Sequence, residues 1–337
     1  MKYRVHVAFT LLFLIGIVFN ASSQATLNDS IISGYSGNPI IRHIFTADPA
    51  ALVYNDTFYI YAGHDEQEVG NKPFLIKDWH VFSSSDMINW KDHGAVLSLN
   101  DFSWAVANAW AGQCIYRDGK FWWYVPMSHR TKKGFAIGVA VSDSPTGPFK
   151  DARGSAIITN DMTTQVDIDW DDIDPAVFID NDGQAYLFWG NTRCKYIKLK
   201  KNMIETEGPI DVIDLPHFTE APYVHKRGDI YYLSYASEFP ECIDYATSKN
   251  IKGPWKYQGR INDTVPNSPT NHQSIVAYKG NWYFVYHNGA LPTGGEFRRS
   301  VCIDRLNYNE DGTIQKIVQT KKGVSSVNGI KMEPKNK

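Results

Sequence analysis

The chain has 337 residues, 43% of them apolar and 14% aromatic, enough for a large core with rings left over for a binding surface. Its formal net charge of −2, with no basic run, excludes the positively charged face that a nucleic-acid partner requires. The four cysteines, Cys114, Cys194, Cys242 and Cys302, lack the spacing of a zinc site, and Cys114 and Cys302 sit in apolar strand patterns that read as buried free thiols.

At the N-terminus Lys2 and Arg4 precede an apolar stretch from Val7 to Phe19 and then the small polar run Ala21-Ser22-Ser23-Gln24-Ala25. This layout predicts a signal peptide over residues 1–24 and an exported mature chain, in which disulfides are permitted. The stretch is shorter than the roughly 20 residues of a membrane span, so no span is expected in the mature chain. Residues 25–337 are expected to form a single domain.

From there the chain alternates two kinds of hairpin. The first kind is DPAALVYNDTFYIYAG from Asp48, AGQCIYRDGKFWWYVP from Ala111, DPAVFIDNDGQAYLFWG from Asp174, EAPYVHKRGDIYYLSY from Glu220 and HQSIVAYKGNWYFVYH from His272. Each is followed by a second strand pair: HVFSSSDMINWKDHG from His80, IGVAVSDSPTGPFKDARG from Ile137, KYIKLKKNMIETEG from Lys195, IDYATSKNIKGPWKYQG from Ile243 and SVCIDRLNYNEDGTIQKI from Ser300. No window sustains the 3.6-residue period of a helix, whereas alternation such as Tyr231, Leu233, Tyr235 is common. The long segments 64–79, 97–110, 151–173 and 261–271 read as loops that build a site on this scaffold.

Two hairpins per repeat and five repeats predict an all-β, five-bladed β-propeller with four antiparallel strands per blade. The first position of each repeat lies eight residues before Asp56, Gly119, Gly228 and Gly280, and nine before Gly183. If that strand is innermost, Asp48, Ala111, Asp174, Glu220 and His272 form a ring. Three carboxylic acids in a protein centre raise one another's pKa and cost several kcal/mol per ion in desolvation, so stability does not explain them. A functional site does.

Paired carboxyl groups are what glycoside hydrolysis needs, one protonated for the leaving oxygen and one ionised to activate water. On the segments TADPAALVYNDTFYIYAGHDE, WAGQCIYRDGKFWWYVP, IDPAVFIDNDGQAYLFWG, FTEAPYVHKRGDIYYLSYAS, NHQSIVAYKGNWYFVYH and RRSVCIDRL, the chain resembles glycoside hydrolase family 43 over nearly its whole mature length. The resemblance implies a five-bladed propeller that hydrolyses pentose linkages of plant cell-wall glycans with inversion. It makes Asp48 the general base, Glu220 the general acid and Asp174 the residue that orients the acid and, being ionised, raises its pKa. Inversion requires Asp48 and Glu220 to stand about 6.5–9.5 Å apart.

The resemblance also implies an arginine reaching the sugar, matched by Arg299, and a histidine beside a calcium ion, matched by His272, with no cofactor needed for the chemistry. Because calcium prefers six to eight oxygen ligands and a lone imidazole is a poor anchor, such an ion would be coordinated by water; a neutral His272 hydrogen-bonded to the acids is the alternative. Phe45, Trp104 and Trp110 are candidate pocket walls and His287 a further pocket residue. Arg298 is expected at the surface by strand alternation.

The substrate expected is an oligo- or polysaccharide, with α-L-arabinofuranosidase activity on arabinoxylan or arabinan side chains first and β-xylosidase its rival. A glycan-binding propeller without catalysis and a phosphorolytic propeller are the readings from other classes. Two patterns fail: Asp167, Asp169 and Asp171 begin a calcium loop that lacks its glycine and final glutamate, and Glu241-Cys242, which resembles the acid motif of retaining fructan-cleaving propellers, lies outside an innermost strand.

Overall fold

Two-residue turns set the hairpins. Asn55-Asp56, Asp118-Gly119 and Lys279-Gly280 all have positive φ at both positions, the type I′ geometry that matches the right-handed twist of the flanking strands. They, the two-residue turn Gly228-Asp229 and one longer turn fold the first kind of hairpin in each repeat: Thr46–Tyr54 with Thr57–His64, Gln113–Arg117 with Lys120–His129, Ala176–Ile179 with Ala185–Trp189, Phe218–Arg227 with Ile230–Ser237, and Ser274–Tyr278 with Asn281–Asn288. The protein is described by a computed structural model that covers residues 31–32 and 37–327, so the expected signal segment 1–24 lies outside the described residues.

Five antiparallel sheets result, and their first strands contact one another in order, first to second through to fifth and back to first. That closure defines the axis of a five-bladed propeller. A cavity of about 430 Å³ runs between the inner strands, bordered by Leu52, Ile115, Phe178, Val224 and Val276, one from each.

Five hydrophobic clusters lie between the sheets, one for each neighbouring pair. Strand alternation supplies both sides of a blade. Tyr231 and Leu233 face the cluster shared with the third sheet, whereas Tyr232 between them faces the cluster shared with the fifth. Trp79 and Trp123, both fully buried, join the first two sheets at 6.2 Å between ring centroids. Burying a large apolar side chain contributes roughly 1.5–3 kcal/mol.

The second strand pairs form as expected in the first four blades, the outer place of the second being shared by the short strands Lys150–Asp151 and Ile158–Thr159. The fifth differs. After Ser300–Leu306 the expected outer strand is absent, because Ile314 and Ile317 are buried between the fourth and fifth sheets and the Ile317 N–H donates to the Ile261 carbonyl at 2.7 Å. The place is filled from the other end of the chain. Ile40 N–H donates to Val301 O at 2.8 Å, and the Asn38 side chain donates to Ile303 O and accepts from Ile303 N–H. Asp304 ties the closure together, accepting from Asn38, Tyr286 and Thr320.

The helical content among the described residues is two short 3-10 turns, and no described helix is long and apolar enough to cross a membrane. All four cysteines are buried and free, as the strand pattern of two of them suggested.

Candidate active site

The residues that open the repeats lie at the starting ends of the inner strands, where a pocket of about 270 Å³ opens on the axis. Asp48, Asp174, Glu220 and His272 line it, while Ala111 contributes only a buried methyl to the ring. Four distant stretches of sequence therefore deliver three carboxyls and an imidazole to one cavity.

The backbone is bent to aim them. Asp48 (φ 53°), Asp174 (φ 56°) and Ala221 (φ 53°) all adopt left-handed conformations just before Pro49, Pro175 and Pro222. Such conformations cost non-glycine residues about 1–3 kcal/mol and persist where the surroundings impose them. Strand register slips at the same points, between Ala47 and Ala50 and around Glu220. These are bulges, which redirect a side chain out of the pleat.

The bulge corrects one detail of the repeat. Asp48 lies six residues before Tyr54, the last residue paired ahead of the first turn, but it is Ala221 that lies six before Arg227. Glu220, paired with Ala236 as Ala47 is with Gly63, thus sits one residue ahead of the bulged position that Asp48 takes. Asp174 braces this bend, its Oδ2 accepting the Ala221 N–H at 3.1 Å.

Asp48 is held by a charged frame. Arg299 donates from Nη1 to Asp48 Oδ1 at 2.8 Å and grips Asp65 with Nε and Nη2 at 2.9 and 3.0 Å. Behind them His287 is fully buried: its Nε2 lies 2.9 Å from the Thr270 carbonyl and its Nδ1 accepts the Asp48 N–H at 3.2 Å, an arrangement the neutral Nε2–H tautomer satisfies. Burial would raise the Asp48 pKa, but the Arg299 charge overcomes it and holds the carboxyl well below its ordinary range. Asp48 is ionised.

Glu220 is pushed the other way. Burial raises its pKa first and the Asp48 charge adds to this, against hydrogen bonds from Asn191, whose Nδ2 donates to Oε2 at 2.7 Å, and from Glu241. Asp174 is raised well above the usual carboxylate value by burial and by Glu220. This departs from the sequence reading, which took an ionised Asp174 as the cause of the Glu220 shift; burial is the main cause. His272 is lowered to about 4 by burial, so its ring is neutral, with Nδ1 3.8 Å from Asp174 and 4.0 Å from Asp48.

The other expected residues divide. Trp110 lines the pocket beside Phe74, and Arg299 lines it with the Phe74 ring beneath its guanidinium. Phe45 is not in the lining; Arg298 stacks on its ring at 4.1 Å and is half-buried rather than at the surface. Trp104 packs in the core between the first two blades and donates from Nε1 to Asp151, away from the pocket. An aromatic residue near a strand start says nothing of which way its ring points.

Several residues of the site escaped the sequence reading. Asp65 and Asn191 end the inner hairpins of the first and third blades. A side chain at Gly190 would strike the Arg193 carbonyl and the Lys195 ammonium, so the glycine allows the turn into Asn191. Glu241 is nearly fully buried in the pocket, accepts the Asn271 N–H at 2.7 Å, and is raised well above the ordinary value by burial and by Glu220. Trp170 and Phe239, 48% and 70% exposed, stand at the rim. The Trp170 loop is anchored by the fully buried pair Asp171–Lys195 and by Asp172, which accepts from Thr163 and Trp189.

A calcium ion beside His272 would need six to eight oxygens. The imidazole offers one nitrogen, and among the described residues no group of three metal-ligating side chains gathers there; the one such group is His64, Asp78 and His80 in the first blade. The residues around His272 do not make a calcium cage.

The family model described as Glycosyl hydrolases family 43 matches residues 36–314. A xylosidase/arabinosidase of Bacteroides ovatus is 33% identical, with 80% of this chain and 94% of that protein aligned. An α-L-arabinofuranosidase structure from Clostridium thermocellum is 40% identical with a TM-score of 0.70, covering 85% of this chain and 98% of the other. A β-xylosidase/α-arabinofuranosidase from a compost metagenome, solved with xylotriose in a calcium-free form, is 32% identical with a TM-score of 0.75 and the same coverage.

Proposed function

The chain belongs to glycosyl hydrolase family 43, and from that premise we propose that it is an inverting exo-glycosidase that removes terminal pentose units, α-L-arabinofuranose first, from arabinoxylan or arabinan oligosaccharides. The observation that carries the reading is the asymmetry of the pocket: Asp48 held ionised by Arg299, and Glu220 pushed up by burial beside a bulge. Those are the two protonation states that the reaction needs.

Asp48 Oδ1 takes the Arg299 hydrogen bond, which leaves Oδ2 to hold a water and accept its proton as the water attacks the anomeric carbon. Glu220 protonates the departing oxygen from the opposite side. Asp174 fixes the backbone next to Glu220 through the Ala221 N–H, and the charge of ionised Asp48 favours the positive charge of an oxocarbenium-like transition state. The chemistry requires no cofactor. A phosphorolytic reaction fits poorly, since phosphate would meet four carboxyls and an arginine already gripped by Asp65 and Asp48.

Arabinofuranoside is placed ahead of xyloside because the Clostridium thermocellum arabinofuranosidase shares more identity with this chain than the other two relatives compared. The test is release of 4-nitrophenol from the α-L-arabinofuranoside and the β-D-xylopyranoside. Faster turnover of the first supports this choice; turnover of the xyloside alone replaces it with β-xylosidase; turnover of neither by folded protein refutes a monosaccharide-releasing enzyme. The layout of residues 1–24 is the basis for proposing export.

The pocket, somewhat smaller than the ~300–1,000 Å³ of sites for drug-sized ligands, suits one sugar with the rest of the chain crossing the rim. Trp170→Ala is therefore expected to raise KM for oligosaccharides about tenfold with kcat nearly unchanged, the signature of lost uniform binding. An unchanged KM would remove Trp170 from the substrate path.

The pH profile of kcat/KM should be an asymmetric bell. Activity needs ionised Asp48, so the acid limb appears only as pH falls through its depressed pKa, below the ordinary value of about 3.9. It also needs protonated Glu220, so the alkaline limb lies above the ordinary glutamate value of about 4.3, where Glu220 loses its proton. An acid limb near pH 5 in folded protein would contradict the assignment of Asp48.

A further inference from the structure

We propose that His64, Asp78 and His80 form a binding site for one first-row divalent metal ion of the zinc class, on the first blade and outside the catalytic pocket. His64 ends the strand Thr57–His64, and Asp78 begins the neighbouring strand Asp78–Ser84. The pairing of Gly63 with Trp79 sets His64 opposite Asp78, and alternation puts His80 on the same face while Trp79 turns into the core. Three side chains of metal-ligating type thus share one patch. Their ligand atoms all lie within 4.8 Å of one another.

The spacing is that of ligands around an ion. His64 Nδ1 is 3.2 Å and His80 Nε2 is 3.6 Å from the same Asp78 oxygen, Oδ1. A tetrahedral ion with bonds of about 2.0–2.1 Å sets its ligands about 3.4 Å apart. A histidine–aspartate hydrogen-bond network accounts for His64 with Asp78, but not for a second imidazole aimed at the same oxygen from 3.6 Å, beyond hydrogen-bond range.

A second observation concerns the far side of His80. Its Nδ1 faces Asp92 Oδ1 at 3.4 Å, and Asp92 is itself fixed by the Gly94 N–H at 2.7 Å and by His43 Nε2 at 2.7 Å. A carboxylate behind one ring nitrogen, with the other nitrogen turned to the ligand cluster, is the arrangement that orients metal-binding histidines. Two nitrogens and one carboxylate suit zinc, nickel or copper and not calcium. All three side chains are partly exposed, which gives the ion a path in and leaves a position for water.

None of the three lines the catalytic pocket, so the ion is structural. His64 immediately precedes Asp65, the residue that grips Arg299 against Asp48. An ion here would pin the end of the strand that carries Asp65.

The test uses untagged protein stripped with a chelator and titrated with Zn²⁺ by calorimetry. One ion per chain is expected, with a thermal midpoint that rises with Zn²⁺ concentration. His64→Gln with His80→Gln should abolish binding and Asp92→Asn should weaken it about 10–100-fold, whereas Asp48→Asn should leave one ion bound. Peptide mapping of wild-type protein after diethyl pyrocarbonate treatment should show His64 and His80 protected by Zn²⁺, a readout that does not depend on a variant folding. No saturable binding, binding unchanged in the double variant, or absence of protection at both histidines would overturn the site.

Discussion

Asp48→Asn is expected to lower kcat at least about a thousandfold on every substrate, whatever the leaving group. The substituted amide has the size of the carboxylate and can still accept the Arg299 hydrogen bond through its oxygen, so the pocket keeps its shape. Arg299 keeps its charge partner in Asp65, so no buried cation is left uncompensated. What disappears is the group that takes a proton from water, together with one negative charge beside the reacting carbon. General acid–base catalysis contributes about 10²–10⁴-fold, and a thousandfold corresponds to about 4 kcal/mol of transition-state stabilisation. The check is kcat on an aryl glycoside and on an oligosaccharide, with circular dichroism to show that the variant is folded. A loss below tenfold would take the base role from Asp48.

Glu220→Gln separates substrates instead. A sugar leaving group departs as a poor anion and needs the proton; a 4-nitrophenolate does not. The expected result is a 10²–10⁴-fold drop in kcat/KM for oligosaccharide and less than about tenfold for the nitrophenyl glycoside. The alkaline limb of the pH profile should vanish with the activated substrate, since the group whose ionisation produced it is gone. Equal losses on both substrates would show that Glu220 contributes something other than a proton, and Glu241, buried beside it and held protonated, would then be the acid to examine.

The ring of acids was legible because a propeller repeats its inner strand: a position read five times by the same pattern is a position in space. Family membership and fold followed from the same segments. What failed did so for local reasons. Glu220 is one residue out of register because the count matched Gly228 to the second residue of the first turn, whereas Gly228 is the first residue of its own turn, so that Ala221 and not Glu220 is the counterpart of Asp48. The last outer strand was assigned to residues beyond Leu306, although Asn38 and Ile40 occupy that edge, since closure by the opposite end of the chain leaves no mark on neighbouring sequence.

Aromatic rings were harder still. Trp110 lines the pocket, but Trp104 and Phe45 do not, because their directions depend on contacts with Asp151 and Arg298 that no spacing encodes. Glu241 was set aside for lying outside an inner strand, yet it precedes the third strand of its blade and its side chain reaches the axis from there. Asp65 had a visible signal in YAGHDE, an acid just past the end of an inner hairpin. Its meaning depended on Arg299, more than 200 residues away.

The central claim is a single displacement in which Asp48 activates water while Glu220 protonates the leaving group. The measurement that tests it most directly is proton NMR of the first sugar released from an arabinofuranoside, recorded before mutarotation. The account predicts that this product carries the inverted anomeric configuration. A retained configuration would mean a covalent sugar–carboxylate intermediate, making one of the pocket acids a nucleophile and contradicting the role given to Asp48.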